Sequence, residues 1–135
     1  MDNIFVDTDI ILDLLSQREP FYEYSAYLFS EADSDKIKIH VSFLSFSNIN
    51  YILSRQFSTV HARKKMLMFK TLVNVLPVTD KTVELALSSD FKDFEDALQY
   101  FTAIENNVKT LLTRNLKDYK TAEITVMTAE QYLKK

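Results

Sequence analysis

Apolar and polar positions fall in short blocks along this chain, and the boundaries between blocks predict its elements. Ile4, Phe5 and Val6 are too short and too β-prone a run for a helix, so they read as a buried strand. Asp7, Thr8 and Asp9 stop that run. Ile10, Ile11, Leu14 and Leu15 then recur at helical spacing, which predicts a helix beginning near Ile10 with Asp13 at the edge of its apolar stripe. Arg18-Glu19-Pro20 interrupts the pattern, and proline suits the first turn of the next helix, carried by Phe21, Tyr24, Ala26, Tyr27, Leu28 and Phe29 to about Asp33. After a turn at Ser34-Asp35-Lys36, Ile37, Ile39 and Val41 alternate with Lys38 and His40 as a strand.

Ser42 is placed to cap a long apolar helix over 43–56, greasy enough to be largely buried, with Ser45, Asn48 and Ile52 on one line of its surface. Ser58 or Thr59 caps another helix, which opens with the basic run His61-Ala62-Arg63-Lys64-Lys65. Asn74 to Val78 is a short strand that Pro77 confines to a strand end or a sheet edge. Thr79 or Asp80 opens a helix through about Ser88, and Asp93 opens the next, with Asp96 three residues on in the manner of a capping box. Asn106-Asn107 ends it. Val108 to Leu112 is a strand that gives way to Thr113 through Tyr119, Ile124 and Val126 form the last strand, and Thr128 caps a terminal helix over 129–134.

Strands alternating with helices imply an α/β fold, a parallel sheet covered on both faces. No repeat, linker or low-complexity segment divides residues 1–135, so one domain is expected, burying roughly two-thirds of the surface its unfolded chain exposes. Composition then narrows the chemistry. With no cysteine there are no disulfides, thiolate zinc sites or cysteine nucleophiles. With no glycine, a phosphate-cradling P-loop and a dinucleotide-binding turn lack the backbone they need. A net charge of −3 and a pI near 5.4 provide no global field for nucleic acid, so a polyanion needs a local patch or a bridging cation. No charged-then-apolar leader and no run of about 18 apolar residues stands out, which leads us to expect a cytoplasmic protein without a membrane partner.

Acids recur at element junctions: Asp7 after the first strand, Asp93 with Asp96 at a helix start, Asp118 past a late strand. Right-handed crossovers bring the ends of parallel strands to one side of the fold, so these groups are expected to meet. Two charges ~5 Å apart repel by about 3 kcal/mol at an effective dielectric of ~20, and a divalent cation offsets that. Oxygen ligands without thiolates favour Mg²⁺ or Mn²⁺, which acidifies a water and neutralises phosphate charge in phosphodiester hydrolysis. Structural roles compete with this reading. Asp7, Thr8 and Asp93 can serve as helix caps, Asn48 as a satisfied buried amide, and Asp9 and Asp13 as solvated or structural acids; His40 is expected half-exposed on a strand face and His61 at a basic helix start.

The segments Phe5-Val6-Asp7-Thr8-Asp9-Ile10-Ile11-Leu12-Asp13, Ser42-Phe43-Leu44-Ser45-Phe46-Ser47-Asn48, Asp93-Phe94-Glu95-Asp96-Ala97-Leu98-Gln99 and Leu112-Thr113-Arg114-Asn115-Leu116-Lys117-Asp118-Tyr119 together resemble a PIN domain over nearly the whole chain. The resemblance implies a three-layer α/β/α sandwich around a mostly parallel sheet of four to five strands. It also implies a Mg²⁺- or Mn²⁺-dependent endoribonuclease of the VapC-like toxin kind, with RNA as substrate, an antitoxin partner and pairing of two copies, for which the aromatic-rich helix 21–29 is a candidate. The family's acids fall on Asp7, Asp96 and Asp118, its assisting polar groups on Thr113 and Asn115, and its second acid on Asn48. Some PIN-like chains similar to this one in the Asp-Phe-Glu-Asp segment also carry asparagine there. Asp93 is a candidate to replace the missing charge, and Arg55, Arg114, Lys117, Lys120 and the 61–65 cluster are candidate phosphate contacts. The alternative is a PIN-like module that has lost catalysis and binds RNA or protein. A phosphatase of the haloacid-dehalogenase type would also space two aspartates as Asp7 and Asp9 are spaced, but the chain lacks glycine for that family's flap and a convincing downstream lysine motif.

Overall fold

Strands and helices alternate as the pattern demands in the computed structural model, which describes residues 1–120 and 122–135. In order they are β1 (Asp2–Val6), α1 (Thr8–Leu15), α2 (Tyr22–Asp33), β2 (Ile37–Ser42), α3 (Phe43–Gln56), α4 (Thr59–Lys70) and β3 (Val73–Leu76). Then come α5 (Asp80–Leu87), α6 (Phe94–Glu105), β4 (Thr110–Leu112), a 3-10 turn (Leu116–Tyr119), β5 (Thr125–Met127) and α7 (Ala129–Lys134). All strand pairs are parallel, in the order β3-β2-β1-β4-β5. Each crossover is a helical segment, as a parallel pair requires.

Side-chain alternation along the strands divides the core. Ile4 and Val6 of β1, Ile39 and Val41 of β2 and Leu112 of β4 pack with Ile10, Ile11, Leu28, Phe29, Ile49, Leu53 and Phe69 from α1 to α4. Phe5 and Leu111 face the other way, onto Tyr100 and Ala103 of α6 and Tyr119 of the 3-10 turn. The result is the three-layer α/β/α sandwich expected, with β1 central and buried on both faces.

Boundaries shift for local reasons. Because Asp7 itself caps α1 with extended backbone, the helix starts at Thr8, two residues earlier than the apolar spacing suggests. Pro20 stands ahead of α2, not within its first turn. β4 is three residues long, because Asn107 takes a left-handed φ of 58° and Val108 N–H still donates to Ala103 O of the helix at 3.0 Å. Pro77 immediately follows β3, which lies at the sheet edge as proline requires. His40 departs from expectation: only 7% exposed, it bridges Asn3 Oδ1 at 2.9 Å and Asn74 Nδ2 at 3.0 Å across three strands. Burial, then the charge of Lys38, holds its imidazole below the ordinary value, so one nitrogen donates and the other accepts. No helix among the described residues is long and apolar enough to cross a membrane.

Candidate active site

Strand order reverses at β1: β2 and β3 lie to one side, β4 and β5 to the other. A crevice opens beyond the C-terminal strand ends at such a reversal. Asp7 leaves β1 there, its N–H donating to Leu112 O at the end of β4 at 2.9 Å. Its buried carboxylate accepts four hydrogen bonds. Oδ1 takes Thr8 N–H at 2.7 Å and Gln99 Nε2 at 3.4 Å, while Oδ2 takes the Thr113 and Tyr119 hydroxyls, each at 3.0 Å. Burial pushes Asp7 up, and these donors pull it partly back.

The second acid arrives on α6. Asp93 caps that helix, accepting Asp96 N–H at 3.0 Å, and Asp96 Oδ1 lies 3.5 Å from the same Tyr119 hydroxyl. Half-buried and facing the negative charges of Asp7, Asp93 and Asp118, Asp96 is pushed up to about 7, burial being the larger cause. Asp118 supplies its charge from the exposed surface of the 3-10 turn. One turn along α6, Gln99 Nε2 shares its two protons among Asp7, Thr8 Oγ1 at 3.1 Å and Ser45 Oγ at 2.8 Å, tying α1, α3 and α6 together. The phenol of Tyr119 is held far above its usual range by burial and by Asp7 and Asp96, so it stays a donor.

Asp9 is part of the pocket and not a solvated acid. Its Oδ2 accepts Arg114 N–H at 2.9 Å and Asn115 Nδ2 at 3.4 Å and lies 3.3 Å from Thr113 Oγ1 as the alternative acceptor for that hydroxyl's one proton, and burial followed by the charge of Asp7 pushes it up to about 6. Oδ1 of Asp9 and Oε1 of Gln99 are buried without a hydrogen-bond partner among the described residues.

Of the residues singled out in the sequence, Asp7, Asp93, Asp96, Asp118, Thr113 and Asn115 gather around this pocket. Asn48 does not join the network. Ser45, one turn earlier on α3, is the side chain that reaches Thr8 (2.8 Å) and Gln99. Arg114 is already committed: Asp13, 1% exposed, takes its guanidinium at 2.9 and 3.0 Å, and the Phe21 ring lies 4.1 Å beneath it. Asp13 is thus structural, and burial raises its carboxyl despite the partner. Arg55 sits near the C-terminus of α3, ten positions from Ser45, or ~15 Å along the helix. Lys117 borders an open cleft of about 380 Å³ beside the acids, with Phe91, Lys92, Asp93, Asp118 and Lys120. Among the described residues, no three carboxylates or imidazoles stand ready around one cation position. The sequence pattern does not single out Gln99, Ser45 and Tyr119 for the site; Gln99 and Ser45 carry a signal, each lying three residues from a candidate, Asp96 and Asn48, on the same helix face.

Fold and pocket define a class: a small parallel-sheet α/β protein whose acids converge beyond the strand ends where strand order reverses. The chain belongs to the PIN domain family, whose profile matches residues 3–117. It is similar to Ribonuclease VapC1 of Aquifex aeolicus (strain VF5), 27% identical over 139 residues that cover 97% of this chain and 93% of that protein. Its fold matches that of VapBC2 from Rickettsia felis, solved bound to a DNA fragment from their promoter, with a TM-score of 0.70, 17% identity and coverage of 93% and 96% of the two chains. Mycobacterium tuberculosis VapC20, described as a sarcin-ricin loop cleaving toxin, matches with a TM-score of 0.64 and 19% identity over 80% of this chain and 86% of that one.

Proposed function

We propose that this PIN domain is a Mg²⁺- or Mn²⁺-dependent endoribonuclease, the cytoplasmic toxin of a toxin-antitoxin pair. The observation that carries the reading is the convergence of Asp7 and Asp96, remote in sequence, on a single hydroxyl, with Asp118 charging the same rim. The name of the Aquifex aeolicus relative supports ribonuclease activity, and fold neighbours described as VapBC and FitAB assemblies support a small protein partner. A second copy of the chain completes the expected assembly.

The donor set suits a hard cation. The pocket's acceptor atoms are all oxygens, like charges face one another there, and two of the buried oxygens lack partners among the described residues. Asp7, Asp96 and Asp118 would hold the ion, supported by Asp93 and Asn48; when bound, it acidifies water and neutralises phosphate charge. The protein's own contribution is orientation. Thr113 and Thr8 N–H fix Asp7, Gln99 locks the α6 turn against the start of α1, and Asn115 N–H positions Thr113 Oγ1 at 3.1 Å. Lys117, with Lys92 and Lys120, lines the cleft through which an RNA strand reaches the acids.

The test is cleavage of RNA by the purified full chain with Mn²⁺, repeated with a chelator and with Asp96→Asn. Cleavage that survives both would overturn the reading. A second reading, a PIN module that binds RNA or protein without cutting, is favoured by the uncharged amide at Asn48 and by the lack, among the described residues, of three carboxylates around one cation position. RNA binding without Mn²⁺ uptake in calorimetry would establish it.

A further inference from the structure

The core of the molecule contributes one polar atom to this pocket. Tyr119 is 3% exposed, its ring packed among Phe5, Leu76, Tyr100 and Val108, with the Phe91 ring edge-on at 5.9 Å. From that packed ring the hydroxyl reaches 3.0 Å from Asp7 Oδ2 and 3.5 Å from Asp96 Oδ1. A phenol carries one proton, so it donates to one carboxylate while presenting its oxygen to the other. A carboxylate has about four acceptor positions; Thr8 N–H and the Thr113 and Tyr119 hydroxyls take three of Asp7's, and Gln99 Nε2, which also serves Thr8 and Ser45, stands 3.4 Å from the carboxylate.

We infer that the Tyr119 hydroxyl is a latch: it occupies the gap between Asp7 and Asp96 and must give way before a divalent cation takes both carboxylates. Two oxygens each about 2.1 Å from a Mg²⁺ ion leave no space for a phenol between them. Thr113 can release Asp7 without moving, since Asp9 Oδ2 offers its hydroxyl a second acceptor at 3.3 Å. That would free a lone pair on Asp7 and still leave Tyr119 between the two acids. Tyr119 is therefore a positioning residue that sets the threshold for cation entry. The inference rests on the cation-dependent reading of this site.

Tyr119→Phe keeps the ring in the core and removes only the hydroxyl. Metal-free full-length protein, Tyr119→Phe and Asp96→Asn are titrated with Mn²⁺ by calorimetry and by tyrosine difference absorbance. The latch predicts that Tyr119→Phe binds Mn²⁺ about three- to tenfold tighter, the equivalent of one released hydrogen bond. It also predicts a tyrosine signal on Mn²⁺ saturation of the parent that is lost in Tyr119→Phe. Equal or weaker Mn²⁺ affinity in Tyr119→Phe, or a tyrosine signal that persists in it, overturns the latch. If the parent binds Mn²⁺, Asp96→Asn does not, and Tyr119→Phe matches the parent, the latch alone falls. If neither the parent nor Tyr119→Phe takes up Mn²⁺, the cation-dependent reading falls and the latch with it.

Discussion

In Asp96, burial and charge oppose the function proposed for it. Its carboxyl lies at about 7 in the folded protein against 3.8 for an ordinary aspartate, so the folded state holds the proton more tightly than the unfolded one. The resulting penalty is present above about pH 7 and relieved as pH falls toward 4. Metal-free Asp96→Asn should accordingly be more stable than the parent in urea unfolding at pH 8, with the gain vanishing near pH 4. The same variant should cut RNA about a hundredfold or more slowly. Arg114 shows the reverse case, a charge in structural use. Arg114→Ala leaves Asp13 buried without its hydrogen-bonded partner, with only the charge of Arg18 acting on it, and should cost about 3 kcal/mol in urea unfolding. Arg114→Lys should restore only part of that, because an ammonium cannot make the paired contacts of a planar guanidinium.

At the scale of elements, most of what the sequence foretells is capping. Ser42, Ser58, Thr79, Asp93 and Thr128 each accept from the backbone N–H three residues on, because that bond needs only the local chain. Asp93 does two things at once, capping α6 and repelling Asp96. Asp93→Ser should preserve stability within about 0.5 kcal/mol while lowering the Asp96 pKa, as read by NMR titration of the carboxyls. The capping serine and the apolar run predict the long helix α3 correctly at both ends, yet the α3 side chain that hydrogen-bonds into the pocket is Ser45, one turn before the Asn48 to which the family pattern points. Helical periodicity defines a line of residues without saying where along it a neighbouring helix crosses. Here Thr8 and Gln99 meet α3 at Ser45.

The whole molecule is held in register by polar contacts as well as by its core. His40 on β2 joins Asn3 on β1 and Asn74 on β3, and charging it would cost one of its two bonds. Its folded pKa lies below the unfolded value near 6.5, so the unfolded state binds the proton first. The stability His40 contributes is full above about pH 6.5 and lost as pH falls through the lower folded value. Relative to the parent, His40→Gln should therefore lose less stability between pH 7.5 and pH 5, a difference that cancels the opposing acid titrations common to both proteins.

Sequence alone determined the order of strands and helices, their caps, the parallel sheet and the acids at its junctions. Those features follow from periodicity and from hydrogen bonds spanning a few residues. It also excluded glycine-dependent nucleotide loops, since no residue present substitutes for that backbone. Only the tertiary structure decided which groups share the pocket: Asp7 meets Gln99 across 92 positions and Tyr119 across 112. The burial of His40, the engagement of Arg114 by Asp13 and Phe21, and the Tyr119 hydroxyl between two carboxylates were settled there as well. Each depends on strand order and on how far a side chain reaches once the layers close, and neither is written in the spacing of residues along the chain.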